Sequence, residues 1–172
     1  MKKKIAIFFD RDGVLIEAPV QSGKPKSTKK LKDVKLCKDI IKLCKKYKEK
    51  YLLIMVTNQP DYIRKQNTKK NIENINKYLK KKLKLDDIYV CYSDNDRCYK
   101  RKPNPGMLFD AQRKYQINLK KSYLIGDRWR DIGAGNKAKC ITIFIDRNYN
   151  EKNIFKAKYS VKEINDILKI II

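Results

Sequence analysis

Short, largely apolar runs recur along this chain, and between them lie segments whose apolar residues repeat with helical spacing. The runs are residues 4–9, 51–56, 88–91, 123–125 and 141–145. Residues 35–49 place Leu36, Ile40, Leu43, Cys44 and Tyr47 on one helical face, and 68–84 do the same with Ile72, Ile75, Tyr78, Leu79 and Leu83. A further helix is expected to open at Pro105, another to cover 129–139, and a closing helix to cover 160–169. The tail Ile170-Ile171-Ile172 reads as core or interface. Strands apolar on both faces, alternating with helices, predict a parallel sheet covered on each side. The expected fold is α/β, a three-layer α/β/α sandwich with a central parallel sheet. The 172 residues suffice for one domain with its own core, and no linker, repeat or low-complexity boundary divides them.

In such sheets the ligand site lies outside the carboxyl ends of the strands. Asp10 and Asp12 follow the first run, Thr57 and Asn58 the second, and Asp127 and Asp131 the fourth. Arg101 and Lys102 lie on the loop beyond the third. The chain has no His, which excludes imidazole bases, Ser-His-Asp and Cys-His nucleophiles and His zinc ligands. Carboxylates remain. In an Asp-x-Asp pair, one member can act as nucleophile or metal ligand and the other as acid and base. Several carboxylates on one edge repel unless a cation sits among them, and an oxygen-rich site suits Mg²⁺. Mg²⁺ in turn implies a phosphate ligand, with Lys102 as counter-charge and Thr57 as hydrogen-bond donor. Each element alone is common in loops and caps. Their order along successive strand ends carries the signal.

The formal net charge is +24, which raises nucleic acid as a partner. Lys outnumbers Arg 35 to 8, whereas bidentate phosphate and base readout favours Arg. Lys, Ile, Asn and Tyr, all spelled by A/T-rich codons, dominate the chain, so compositional drift accounts for the charge as well as function does. Nucleic acid is therefore a possible partner but not the favoured one. The field still attracts phosphorylated anions. The five Cys are scattered, with Cys37 and Cys44 at helical spacing. Residues 1–4 lead into the first strand without a secretory apolar segment, and no run is long enough to span a membrane. A reduced, cytoplasmic protein is expected, with no membrane partner.

Phe8-Phe9-Asp10-Arg11-Asp12-Gly13-Val14 resembles the first motif of the haloacid dehalogenase superfamily, and Val56-Thr57-Asn58-Gln59 its second. Arg101-Lys102-Pro103-Asn104-Pro105-Gly106-Met107 is similar to the third, and Ile125-Gly126-Asp127-Arg128-Trp129-Arg130-Asp131-Ile132 to the fourth. The resemblance spans residues 4 to about 146. It points to the branch holding D-glycero-D-manno-heptose 1,7-bisphosphate phosphatases, histidinol-phosphate phosphatases and polynucleotide 3′-phosphatase domains. The fourth motif most resembles the sugar-phosphatase members. The resemblance implies a Rossmann-like hydrolase domain over 1–172 without a large cap domain. Its site would be open, with loops 17–34, 59–67 and 92–101 setting specificity.

The resemblance also implies roles. Asp10 would attack phosphorus and form an aspartyl-phosphate. Asp12 would protonate the leaving oxygen and then activate water. Mg²⁺ would be held by the Asp10 and Asp127 carboxylates and the Asp12 backbone carbonyl, with Asp131 supporting the metal shell. Thr57 would bind the transferring phosphoryl group and Lys102 neutralise it, while Asn58 and Arg101 would position phosphate or substrate. Sugar phosphatases of this branch often hold a structural zinc on the loop before Arg-Lys-Pro. Here Cys91 and Cys98 remain, but Ser93 and Lys100 stand at the other ligand positions, so no zinc is expected. The implied enzyme is a Mg²⁺-dependent phosphoric monoester hydrolase, expected to be a monomer acting on a small phosphorylated sugar. Heptose 1,7-bisphosphate is the leading substrate. Histidinol phosphate and 3′-phosphorylated nucleic-acid ends are the alternatives, and a catalytically silent basic binding module is the non-enzymatic one.

Overall fold

All five apolar runs become parallel strands of one sheet. The computed structural model describes residues 4–172, so the reading of residues 1–3 as a lead into the first strand lies outside the described residues. In chain order the elements are β1 (Ala6–Phe9), β2 (Val20–Gln21), β3 (Lys24–Pro25), α1 (Ile40–Tyr47), β4 (Leu52–Asn58) and α2 (Lys69–Leu83). They continue with β5 (Asp87–Cys91), α3 (Gly106–Tyr115), β6 (Tyr123–Gly126), α4 (Trp129–Lys137), β7 (Ile141–Ile145) and β8 (Tyr159–Val161). Six strands form the sheet in the order β5-β4-β1-β6-β7-β8, and every neighbouring pair is parallel.

Successive residues of each strand fill opposite layers. Ile7, Phe9, Leu53, Met55 and Ile125 pack with α1 and α2, whereas Ala6, Phe8, Ile54, Val56 and Leu124 pack with α3 and α4. This two-sided burial is why the strands read as unbroken apolar runs rather than alternating ones. The result is the Rossmann-like three-layer sandwich. From β1 the chain winds outward through β4 and β5, then returns to β6 and winds the other way. The order therefore reverses between β1 and β6, which opens a crevice at their carboxyl ends. Asp10 follows β1 and Asp127 follows β6, so two residues distant in sequence face the same crevice.

Two expectations change. The helix expected over 35–49 begins only at Ile40, because Asp39 adopts left-handed backbone (φ 65°) and Leu36 and Cys37 are drawn to the segment after β1. The helix expected over 160–169 is instead strand β8 followed by a 3₁₀ turn, Ile164–Lys169. β8 covers the open edge of β7, with Ile143 opposite Tyr159 and Ile145 opposite Val161. Ile164, Ile167 and Ile171 then enter the core at intervals that a three-residue turn satisfies as well as an α-helix. The tail divides: Ile171 is buried, pinned by the Tyr47 hydroxyl donating to its carbonyl at 2.7 Å, and Ile172 is exposed. Loop 17–34 carries the small β2–β3 hairpin, whose Pro25, with Lys26 and Ser27 beyond it, forms one wall of the crevice. No helix of the described residues is long and apolar enough to cross a membrane.

Candidate active site

Lys102 is the hub of the crevice. Its backbone is braced by Asn58: the Asn58 amide donates to the Lys102 carbonyl and the Lys102 N–H donates to Asn58 Oδ1, each at 3.1 Å. Its side chain is buried, and Nζ donates to Asp10 Oδ1 (2.7 Å), Asp131 Oδ1 (2.6 Å) and the Val56 carbonyl (2.9 Å). The three donors of the ammonium thus meet three acceptors. Burial pushes the Lys102 pKa down, but the carboxylates of Asp10 and Asp131 outweigh it and hold the group above the ordinary lysine value. It stays charged.

Carboxylate oxygens of Asp10, Asp127 and Asp131 lie within 4.8 Å of one another. Asp131 is fully engaged, since its second oxygen accepts from the Arg128 N–H (3.1 Å) as the capping-box residue of α4. Asp127 is different. It is 1% exposed, and the Tyr149 hydroxyl beside it is the one polar neighbour offered to its otherwise unmatched carboxylate among the described residues. Burial pushes its carboxyl well above the usual range, and the charges of Asp10 and Asp131 push it further. A buried carboxylate so poorly matched is costly, and three carboxylates here face one ammonium. A divalent cation among oxygen donors removes both problems, so these residues fit Mg²⁺. Gly13 makes the close approach possible: it sits at φ +91°, and a Cβ there would lie 1.8 Å from Asp127 Oδ2.

Asp12 is held by a network that sequence reasoning missed. Its Oδ1 accepts from the Thr28 N–H (2.9 Å), and its Oδ2 accepts from Arg11 Nε and Gln59 Nε2, each at 3.0 Å. The Arg11 side chain is fully buried and also donates to Gln59 Oε1 (2.9 Å) and Asn76 Oδ1 (3.2 Å). Gln59 in turn donates to Thr57 Oγ1 at 3.0 Å. The available signal was Asn76, a polar residue on the face of α2 that also carries Ile72, Ile75 and Leu79.

Arg101 is brought near but turned aside. Its guanidinium donates to Asp96 Oδ1 (2.9 Å) and to the Ser93 carbonyl (2.8 Å). Arg130 grips the same Asp96 carboxylate at 2.8 and 3.2 Å. Arg130 and Arg101 together hold the Asp96 carboxyl down at about 2. This ionic clamp braces loop 92–101, and Arg101 reaches the outer part of the crevice rather than Asp10. The Cys91 and Cys98 sulfurs are 3.9 Å apart, and among the described residues no third Cys, Asp or Glu joins them as a metal-ligand group.

Asp10, Asp12, Thr57, Asn58, Lys102 and Asp131 line one small cavity with Lys26, Arg128 and Arg130. That cavity adjoins a larger one of about 950 Å³, which shares Lys26, Asn58, Arg128 and Arg130 and adds Lys24, Lys29, Arg64 and Arg101. Its acidic lining is limited to Asp33 and Asp61. The arrangement sets the Asp10 and Asp12 carboxylates beside a cationic approach suited to an anionic ligand.

The model of the polynucleotide kinase 3 phosphatase family matches residues 4–167. The chain belongs to this family of phosphatases, within the haloacid dehalogenase superfamily. Among its relatives is the D-glycero-alpha-D-manno-heptose-1,7-bisphosphate 7-phosphatase of Campylobacter jejuni, 32% identical and covering 98% of each chain. A Helicobacter pylori D-glycero-beta-D-manno-heptose-1,7-bisphosphate 7-phosphatase is 34% identical over 81% of this chain and 82% of its own. The bifunctional histidine biosynthesis protein HisB of Buchnera aphidicola is 31% identical over the whole of this chain but 46% of its own length. Among solved structures, the D,D-heptose 1,7-bisphosphate phosphatase of B. bronchiseptica, complexed with magnesium and phosphate, has a TM-score of 0.81. It is 20% identical and covers 96% of this chain and 99% of its own, which establishes the shared fold. Like the heptose-bisphosphate phosphatases among them, this family member is an enzyme that hydrolyses phosphoric monoesters.

Proposed function

We propose that this phosphatase removes one phosphate from a heptose 1,7-bisphosphate, working as a single cytoplasmic domain and a monomer. The observation that carries the substrate is the cationic cavity beside Asp10: a sugar with two phosphates presents one to Asp10 and keeps the other near Lys26, with Arg128 and Arg130, which are paired with Glu151 and Asp96, alongside. The two heptose-bisphosphate phosphatase relatives support the same choice. Five free thiols fit a reducing compartment.

In this reading Lys102 holds one Asp10 oxygen and orients the carboxylate for attack on phosphorus. The new bond makes an aspartyl-phosphate as the bond to the sugar oxygen breaks. Asp12 gives its proton to that leaving oxygen, then takes one from the water that hydrolyses the aspartyl-phosphate. The Asp10 and Asp127 carboxylates and the Asp12 carbonyl would hold Mg²⁺, which would supply positive charge to the phosphoryl oxygens when bound. Thr57 donates to those oxygens, and Asp131 anchors Lys102. Asn58 acts through the Lys102 backbone it braces, and Arg101 through the loop that borders the substrate. Structural zinc has no part in this reading, since Asp96 provides the brace.

A phosphate-release screen with Mg²⁺ tests it, using heptose 1,7-bisphosphate, histidinol phosphate and a 3′-phosphorylated oligonucleotide. Asp10→Asn serves as the blank. Fastest release from the heptose supports the proposal. A preference for either other substrate replaces it, and release equal to the blank from all three removes it.

A further inference from the structure

The Gln59 side chain uses every hydrogen-bonding group toward the reaction centre. Its two amide hydrogens go to Thr57 Oγ1 and Asp12 Oδ2, both at 3.0 Å, and its oxygen accepts from Arg11 Nη2 at 2.9 Å. Arg11 has donors and no acceptor, so only the Gln59 oxygen can face it. Turning the amide over would set NH₂ against the guanidinium. Chemistry therefore allows one orientation.

That orientation dictates what Thr57 does. A threonine hydroxyl has one hydrogen and can donate or accept. Here its oxygen already accepts from Gln59, and among the described residues no protein acceptor takes its hydrogen. Thr57 is buried and lines the small cavity above Asp10. A phosphoryl group presents only acceptor oxygens. The hydroxyl hydrogen is thus kept for the transferring group before any substrate arrives.

We propose that Gln59, locked by Arg11, is a positioning residue that forces Thr57 to donate to the transferring phosphoryl group and couples it to Asp12. This rests on the reading of Thr57 as phosphoryl ligand. It assigns work to a residue that need not touch substrate. Preorganised donors of this kind carry much of the rate in phosphoryl transfer, and losing one lowers turnover by about 10²-fold.

The test is a double-mutant cycle read by p-nitrophenyl phosphate turnover and by the Kd of inorganic phosphate, both with Mg²⁺. Glu is nearly isosteric with Gln but only accepts, so in Gln59→Glu the Thr57 hydrogen is drawn away from the phosphoryl group. Gln59→Met leaves the hydroxyl free to rotate. The expected order of kcat/KM is wild type, then Gln59→Met, then Gln59→Glu, the last down about 100-fold. In a Thr57→Val background either change should cost less than about threefold further, because the coupled effect is already gone. Effects that multiply in the double variant mean that Gln59 acts through fold or charge, and overturn the proposal. An unchanged Gln59→Glu enzyme beside an impaired Thr57→Val enzyme overturns it alone. An unimpaired Thr57→Val enzyme that still binds phosphate overturns the reading of Thr57 as well. If Gln59→Glu loses its cooperative melt, the Gln59→Met cycle decides by the same criterion.

Discussion

The Lys102 ammonium donates to Asp131 at 2.6 Å, so the crevice is tied to the first turn of α4 as firmly as to Asp10. Asp131 closes that turn by accepting from the Arg128 N–H. One carboxylate therefore caps the helix and holds the Lys102 ammonium together.

Removing Lys102 should damage stability as well as rate. The Lys102→Ala protein leaves Asp10 and Asp131 buried without their cation, a change worth about 3–5 kcal/mol. Urea unfolding without metal should show a loss of that size, and phosphate release should fall by about 10³-fold or more. A variant as stable as wild type would contradict the hub assignment.

Asp127 should be a liability without metal and an asset with it. The Asp127→Asn protein is expected to melt higher than wild type in chelator, because a buried carboxylate repelled by Asp10 and Asp131 is gone. Added Mg²⁺ should raise the wild-type melting temperature and leave that of the variant unchanged. Calorimetric scans of both proteins with and without Mg²⁺ check both points.

The Asp96 clamp predicts a specific acid response. Its carboxyl is held down, mainly by Arg130 and then Arg101, at about 2 when folded, against an ordinary value of about 3.9. A depressed carboxyl contributes stability above its unfolded value and loses it as pH falls toward the folded one. Hydrogen exchange in loop 92–101 should therefore stay slow down to about pH 4, after correction for intrinsic rates, and quicken as pH approaches 2. The Asp96→Asn protein should show fast loop exchange already at neutral pH.

The same clamp braces the loop that carries Cys98, and no zinc is predicted there. Protein purified without added zinc should hold far less than one equivalent, measured by elemental analysis. Near-stoichiometric zinc would show that Cys91 and Cys98 recruit other ligands.

Lys26 borders both cavities and is exposed. Its replacement by Ala should raise KM for the heptose bisphosphate by about three- to tenfold, corresponding to about 0.7–1.4 kcal/mol. KM for p-nitrophenyl phosphate, which has no second phosphate, should hardly move. Equal changes for both substrates would place Lys26 outside second-phosphate recognition.

Much of this protein was legible in the order of its residues. Burial of a strand on two faces demands an unbroken apolar run, so the parallel strands could be read locally, and their ends located Asp10, Thr57 and Asp127. The loop beyond the third run offered Lys102 as counter-charge, and the motif resemblance added the likeness to phosphatases. Other features depended on contacts between distant segments. Residues 160–169 became strand and 3₁₀ turn because β7 had an open edge, which no spacing within the segment encodes. Arg101 turned to Asp96 because the loop folded both carboxylate and guanidinium to one side, with Arg130 arriving from α4. Arg11, Gln59 and Asn76 come from three separate elements and meet only once β1, β4 and α2 are packed. Local pattern determines which elements form, since hydrophobic burial follows periodicity. Tertiary structure decides which polar groups pair, since a buried donor takes whatever acceptor the packed chain brings within reach.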